Sequence, residues 1–202
     1  TFNTLWVPGK VATLTVSSLI TADGGADGQL NAWIDFNNDD DFNDSGEQIA
    51  ANLVITAGGS TAITFTVPST ASVGNVYSRF RFNSSGNLTP AGLALDGEIE
   101  DYRTEIVRLD YGDLPDVYGT TASQNGAYHV IRNDRYLGSR VDAELDGQPS
   151  PDAWLDDTSQ GDGVPNNGDD EDGIIFNTPV APGTVATLTV VTGGSGNGRF
   201  NG

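Results

Sequence analysis

The chain of 202 residues carries 28 acidic and 9 basic residues, a formal net charge of -19, with no cysteine and no methionine. That balance excludes the basic surfaces that nucleic acid and anionic membranes require, and it favours cations as partners. The missing cysteines exclude a disulfide framework and a thiolate metal site, and no apolar run reaches membrane-spanning length.

Residues 1–108 read as strands at short spacing. Val11 to Val16 alternates, with Ala12, Leu14 and Val16 on one side. Leu30, Ala32, Ile34 and Phe36 alternate again, and Ile63, Phe65 and Val67 form a third set closed by Pro68. Phe80 and Phe82 point inward in a fourth, with Arg79 and Arg81 outward, and Ile99 to Val107 makes the last. Gly- and Asp-rich turns separate them, and no segment holds a helical period. Period-two alternation broken by such turns predicts an all-β fold, an antiparallel β-sandwich of Ig-like or jelly-roll-like type, large enough for its own core.

The sharpest motif lies between the second and third of these sets. Asp35, Asn37, Asp39, Asp41 and Asn43 place an oxygen at every second residue, and Glu47 closes the loop. That is the pattern of an EF-hand-like calcium loop, in which alternate positions turn toward one ion that needs six to eight oxygens. Asp40 stands where such a loop has glycine, and Asp tolerates the left-handed backbone. The alternative is a solvated acidic turn, but six carboxylates in residues 35–47 repel one another without a counter-ion. Further along, Glu98 and Glu100 share a strand face about 7 Å apart. Catalysis by this pair, as in a glycosidase, is the lesser reading; pairing with Arg79 and Arg81 across the strands is the stronger one, with a calcium role for Asp101.

Residues 109–173 differ in kind. Apolar residues are thin, and residues 142–172 hold eleven acids and no Lys or Arg. Asp142, Glu144 and Asp146 alternate, and Asp156, Asp157, Asp162, Asp169, Asp170 and Asp172 follow. These acids cannot gather in water without cations. A core of Tyr111, Leu114, Tyr118, Val130, Tyr136, Leu137 and Trp154 is too thin to order the segment alone, so a loop-rich, calcium-binding spacer is expected. A disordered acidic linker is the alternative, against which the aromatic residues weigh.

Residues 174–202 begin the chain again. Phe176-Asn177-Thr178, Pro182-Gly183 and Val185 to Val190 repeat Phe2-Asn3-Thr4, Pro8-Gly9 and Val11 to Val16 at a constant offset of 174. They are expected to form the first strands of a further sandwich, either as a loose end or paired with a neighbouring subunit. Thr1 aligns with Ile175, which predicts a preceding neighbour in a tandem array. Arrays serve reach and multivalency more often than catalysis. His129 is the sole histidine, which leaves neither a zinc site nor a Ser–His–Asp triad enough support. Trp6, Trp33 and Trp154 are expected in cores or interfaces rather than on a sugar-stacking platform.

Trp33-Ile34-Asp35-Phe36-Asn37, Gly46-Glu47-Gln48, Tyr77 to Phe82 and Gly97-Glu98-Ile99-Glu100-Asp101-Tyr102 occur in order over residues 1–107. Together they resemble the GEVED domain of bacterial secreted and surface proteins, with Ile99 in place of valine on what is expected to be the buried face. Members often have glycine at the positions of Asn38 and Asp40, so this loop is more acidic than usual. Asp110 to Asp116, Tyr118-Gly119-Thr120, Val141 to Pro149 and Asp169 to Gly173 resemble the spacer that alternates with such domains. The resemblance implies an extracellular, cell-surface β-sandwich array and supplies no activity. The sequence thus predicts a non-enzymatic repeat segment of a bacterial surface protein, adhesin or fibre, stiffened by Ca2+. Its partners would be calcium ions and neighbouring repeats or identical subunits, without nucleic acid or membrane insertion. The alternatives are a module binding surface glycans or proteins on the same scaffold, and a filament subunit exchanging a strand through residues 174–202.

Overall fold

The computed structural model describes residues 2, 4–18, 25–153 and 171–199, and by its internal contacts the chain divides into two units, Thr1–Val107 and Arg108–Gly202. In the first unit β1 (Val11–Ser17), β2 (Gly28–Ile34), β3 (Gln48–Ile55), β4 (Ser60–Thr66), β5 (Gly74–Asn83) and β6 (Glu98–Ile106) form two antiparallel sheets. One is the pair β1–β4, and the other runs in the order β3–β2–β5–β6. The alternating residues read from the sequence are the ones that close the core. Ala12 and Leu14 from β1 and Ile63 from β4 meet Leu30, Ala32 and Ile34 from β2, Val76 and Phe80 from β5 and Ile106 from β6. The fold is the predicted all-β sandwich of antiparallel sheets.

Phe2 and Trp6 tie the two sheets together. Phe2 bridges to Leu14 beside β1, and Trp6 makes a parallel bridge to Ile106 at the free edge of β6. The Trp6 indole is 1% exposed, between Phe2 and Phe65 at ring-centroid distances of 5.3 and 5.2 Å, both edge-to-face. Trp33 is likewise buried. Trp154 lies outside the described residues.

Three sequence expectations change here. The strand β3 does not show in the alternation because a bulge interrupts it. The pairing of β2 with β3 shifts register at Leu30–Ala32 and again at Ala32–Trp33, and Asn52 sits at φ 53° opposite the break. The Asn52 amide donates to Asn31 Oδ1 and the Asn31 side chain donates back to Asn52 Oδ1, each at 3.2 Å, which satisfies the groups the bulge frees. Second, Arg81 is 6% exposed rather than outward in solvent, because residues 89–92 fold over it. Third, Ile99 is 52% exposed. The β5–β6 register pairs Arg81 with Ile99 and Phe80 with Glu100, so Ile99 shares the outer face with the arginines.

In the second unit β7 (Leu109–Tyr111) pairs with β8 (Tyr128–Val130), β9 (Tyr136–Leu137) with β12 (Thr192–Gly193), and β10 (Ile174–Phe176) with β11 (Leu188–Val190). Two single-turn 3-10 helices, Asp116–Tyr118 and Ala122–Gln124, lie between β7 and β8. Of the core expected here, Tyr111 is buried with Leu109, and the Tyr111 and Tyr128 rings stack at 5.1 Å. Leu114 and Tyr118 are 51% and 70% exposed, so the apolar centre is smaller than the sequence suggested.

The 174-residue offset is repeated in local geometry. Phe176 pairs with Leu188 as Phe2 does with Leu14. The Thr187 amide donates to Thr178 Oγ1 at 2.8 Å, as the Thr13 amide does to Thr4 Oγ1 at 3.0 Å. Gly183 and Gly9 turn at φ 76° and 80°. What differs is cover: Leu14 is 2% exposed beneath the β1–β4 sheet, whereas Leu188 is 43% exposed.

Candidate metal centres

The loop joining β2 to β3 is built from side-chain-to-amide bonds two to five residues long. Asp35 Oδ1 and Oδ2 accept the Asp39 and Asp40 amides at 3.2 and 3.1 Å. Asn37 Oδ1 accepts the Asp39 amide, Asp39 Oδ1 that of Asp41, and Asp41 Oδ1 that of Asn43, at 3.3, 3.3 and 2.7 Å. Asn37, Asp39 and Asp41 thus each mimic a backbone turn for the residue two places on. The path requires a left-handed backbone at Asn38 (φ 59°) and Asp40 (φ 73°), the conformation expected at the glycine position. Short polar side chains tolerate it better than most.

Two of the loop's carboxylates lie inside the protein. Asp35 is 2% exposed and Glu47 3%. Glu47 Oε1 accepts the Phe36 amide at 3.1 Å and Oε2 that of Asp44 at 3.2 Å, so the last ligand candidate reaches back to the first turn of the loop. Burial, with the charges of Asp35 and Asp44 added to it, pushes the Glu47 carboxyl above the usual range against the pull of those two amides. Asn37, Asp39, Asp41 and Asn43 are exposed around this buried pair.

Asp101 is placed otherwise. Both its oxygens accept the fork of Arg79, from Nε at 2.8 Å and from Nη2 at 2.7 Å, and this hydrogen-bonded pair holds the Asp101 carboxyl below the usual carboxylate range. Arg79 and Asp101 are directly opposite in the ladder. The expected pairing of the arginines with Glu98 and Glu100 does not form, because those two face Phe82 and Phe80 on the other side of the strand. Glu100 instead accepts the Tyr102 hydroxyl at 2.7 Å. Asp35, Asp40, Asp41 and Asp101 do share the wall of one open pocket of about 480 Å³ with Arg79 and Arg103. The Arg79 and Asp101 side chains are 31% and 55% exposed. An Asp101→Asn variant is therefore expected to lose only about 0.5–1 kcal/mol, measured by urea denaturation.

In the second unit the alternating trio Asp142, Glu144 and Asp146 divides. Asp146 Oδ1 accepts the Ala122 amide at 2.6 Å and the Gly147 amide at 2.9 Å, holding the turn around the second 3-10 helix. Glu144 is 4% exposed, and its carboxylate takes the place of a backbone carbonyl beside β7. The Glu144 amide donates to Leu109 O and the Tyr111 amide donates to Glu144 Oε2, each at 2.9 Å. Burial pushes the Glu144 carboxyl well above the usual carboxylate range, and the adjoining Asp142 carboxyl and the Asp110 charge add to that shift. Burial also raises Asp110, with Asp142 adding to it and His129 opposing. Asp172 accepts the Ser139 amide and hydroxyl, joining the start of β10 to residue 139. Asp156, Asp157, Asp162, Asp169 and Asp170 lie outside the described residues. Among those described, no three His, Cys, Asp or Glu side chains stand preformed around one ion position. The sequence places Asp110 in the spacer motif but not among the ligand candidates, although it stands between Leu109 and Tyr111, both buried.

Residues 29–105 match the family model of the GEVED domain, from the start of β2 to the end of β6 and including the loop of residues 35–47. The match leaves out β1, which the motif comparison had included. No curated protein and no solved structure matches the chain. No helix among the described residues is long and apolar enough to cross a membrane.

Proposed function

We propose, with a GEVED domain at residues 29–105 as the premise, that this chain is a non-catalytic structural segment of a large bacterial surface protein, adhesin or fibre, stiffened by calcium. The observation that carries the reading is the pair of buried carboxylates, Asp35 and Glu47, at the two ends of a loop with six acids. Each has a backbone amide on each oxygen and lone pairs to spare, and the Asp35 charge adds to the cost of ionising the buried Glu47. A cation between them removes that cost and fixes the β2–β3 connection. Outside cells calcium is near millimolar, so sites of about 10⁻⁴–10⁻³ M are filled.

Binding to the folded form alone stabilises it by mass action, about 1.4 kcal/mol at ten times the dissociation constant. For a unit of this size that is a rise of at least about 5 °C in the melting temperature of the first unit. Scanning calorimetry of the chain in 2 mM CaCl2 against EDTA reads it directly. The increment is expected to vanish in the Asp35→Asn/Glu47→Gln double variant. Identical melting with calcium and with EDTA would sink the reading.

A second reading, a filament subunit that exchanges a strand with a neighbouring copy through residues 174–202, is favoured by the uncovered β10–β11 pair. Phe176 is 65% and Leu188 43% exposed, while the matched Leu14 is buried beneath the β1–β4 sheet. The sugar-platform alternative loses support, since Trp6 and Trp33 are buried.

A further inference from the structure

The geometry points to a calcium site in the second unit centred on Glu144, with Asp142 and Asp110 as its other carboxylates. The inference extends the ion-stiffened reading to this unit and does not need the loop of residues 35–47 to bind.

Three observations carry it. Glu144 is more than nine-tenths buried, and its Oε1 atom has no hydrogen-bond partner. Its other oxygen meets one amide, from Tyr111. An ionised carboxylate with half of its acceptors bare inside a protein costs several kcal/mol, so the position is tolerated only with a positive charge or a proton at Oε1. The second observation is what stands nearby. Asp142 is within hydrogen-bond reach of Glu144, and Asp110 is close enough for its charge to act on it. The residue facing Asp110 across the β7–β8 ladder is His129, which is exposed. No lysine or arginine accompanies residues 142–153 in sequence. The third is the backbone. Glu144 is held at both ends, its amide on Leu109 O and its carboxylate on the Tyr111 amide, so the side chain cannot swing out to water without breaking the edge of β7.

A second carboxylate beside a buried, half-bare carboxylate is the donor set of a hard cation. The oxygens suit calcium or magnesium rather than zinc or copper, for which thiolate or several imidazoles would be expected. Calcium fits better, because it accepts an irregular shell completed by carbonyls and water, while magnesium demands near-octahedral geometry at about 2.0–2.1 Å. On binding, the ion sits at Oε1 of Glu144, takes an oxygen of Asp142, and draws in Asp110. It thereby joins β7 to the segment of residues 142–146, which forms no strand of its own and is tied to β7 by the two Glu144 bonds.

The test is calcium titration of the whole chain by isothermal calorimetry, with wild type, Glu144→Gln, Asp110→Asn and the loop variant Asp35→Asn/Glu47→Gln compared. Glu144→Gln is expected to lose one calcium from the stoichiometry, and Asp110→Asn to weaken that same site about tenfold. The loop variant is expected to keep the site whether or not the loop itself binds, which separates failure here from failure of the reading above. Because Glu144→Gln could perturb folding, wild-type protein gives a second measurement. Trace Mn2+ should broaden the backbone amide resonances of Tyr111 and Glu144, and Ca2+ should restore them at lower concentration than Mg2+. Unchanged stoichiometry in Glu144→Gln would overturn the proposal. So would Tyr111 and Glu144 resonances indifferent to Mn2+, which would leave a shared proton as the charge at Oε1. Magnesium restoring the resonances as well as calcium would overturn the choice of ion.

Discussion

A Gly97→Ala variant is expected to lose about 3 kcal/mol of folding stability in the first unit, read as a lower urea midpoint at unchanged slope. Gly97 opens the Gly-Glu-Ile-Glu-Asp run and sits at φ 87°, where an L side chain costs about 1–2 kcal/mol. Conformation is only part of the effect. A Cβ at Gly97 would be driven into the carbonyl of Phe82 and against the Asn83 backbone, and neither can yield without moving β5. Phe82 pairs with Glu98, the first residue of β6, so the collision falls where the β5–β6 ladder begins. Gly92 supplies the control. It has φ 92° and nothing within 4 Å of a built Cβ, so Gly92→Ala is expected to cost the conformational part alone, about 1 kcal/mol. Equal losses in the two variants would show that the close approach contributes nothing. The first glycine of the motif is therefore there to let two strands begin side by side.

What could be seen in the sequence was the inner face. Ala12, Leu14, Leu30, Ala32, Ile34, Ile63 and Phe80 alternate, and all are buried. Period two reports which residues share a face. It does not report register, and the outer face was misread for that reason. Arg79, Arg81, Ile99 and Asp101 share a parity, and a ladder pairing Arg79 with Asp101 follows from it only once the two strands are known to align there. The strand β3 was hidden by a bulge at Asn52 that breaks the alternation. The turns of the loop of residues 35–47 were legible because their chemistry is local, Asp35, Asn37, Asp39 and Asp41 acting on amides two to five residues on, while Glu47 reaches back to Asp44 and, across the loop, to Phe36. In the second unit the alternation at Asp142, Glu144 and Asp146 does not show where each side chain goes, because Glu144 bonds to β7 and Asp146 to residue 122, partners far away in the chain. Asp110 reaches the Glu144 cluster through tertiary packing, which no spacing of one residue type records.

An Arg81→Met variant is expected to lose about 3 kcal/mol, with a selective rise in amide exchange across residues 84–97. The guanidinium gives Nη1 to the carbonyls of Thr89 and Ala91 at 2.7 and 2.9 Å and Nη2 to that of Gly92 at 2.7 Å. Arg79 adds a fourth grip, from Nη1 to Pro90 O at 3.1 Å. A planar fork with five fixed donors meets a row of carbonyls in a way that an ammonium cannot, so Arg81→Lys should recover less than half of the loss. The effect exceeds that of Asp101→Asn because the sites differ in solvent access. Arg81 is 6% exposed, and its charge is satisfied by dipoles already fixed in place, whereas the Arg79–Asp101 pair is screened by water. Methionine keeps the apolar stem and removes only the fork, so the variant separates hydrogen bonding from packing. Should Arg81→Met melt within 0.5 kcal/mol of wild type with exchange in residues 89–92 unchanged, the loop is held by something other than the arginine. If the loss appears as stated, the connection from β5 to Gly97 is part of the rigid frame of the first unit. Leu93 and Leu95, 89% and 96% exposed, then project from a clamped loop rather than from a slack one.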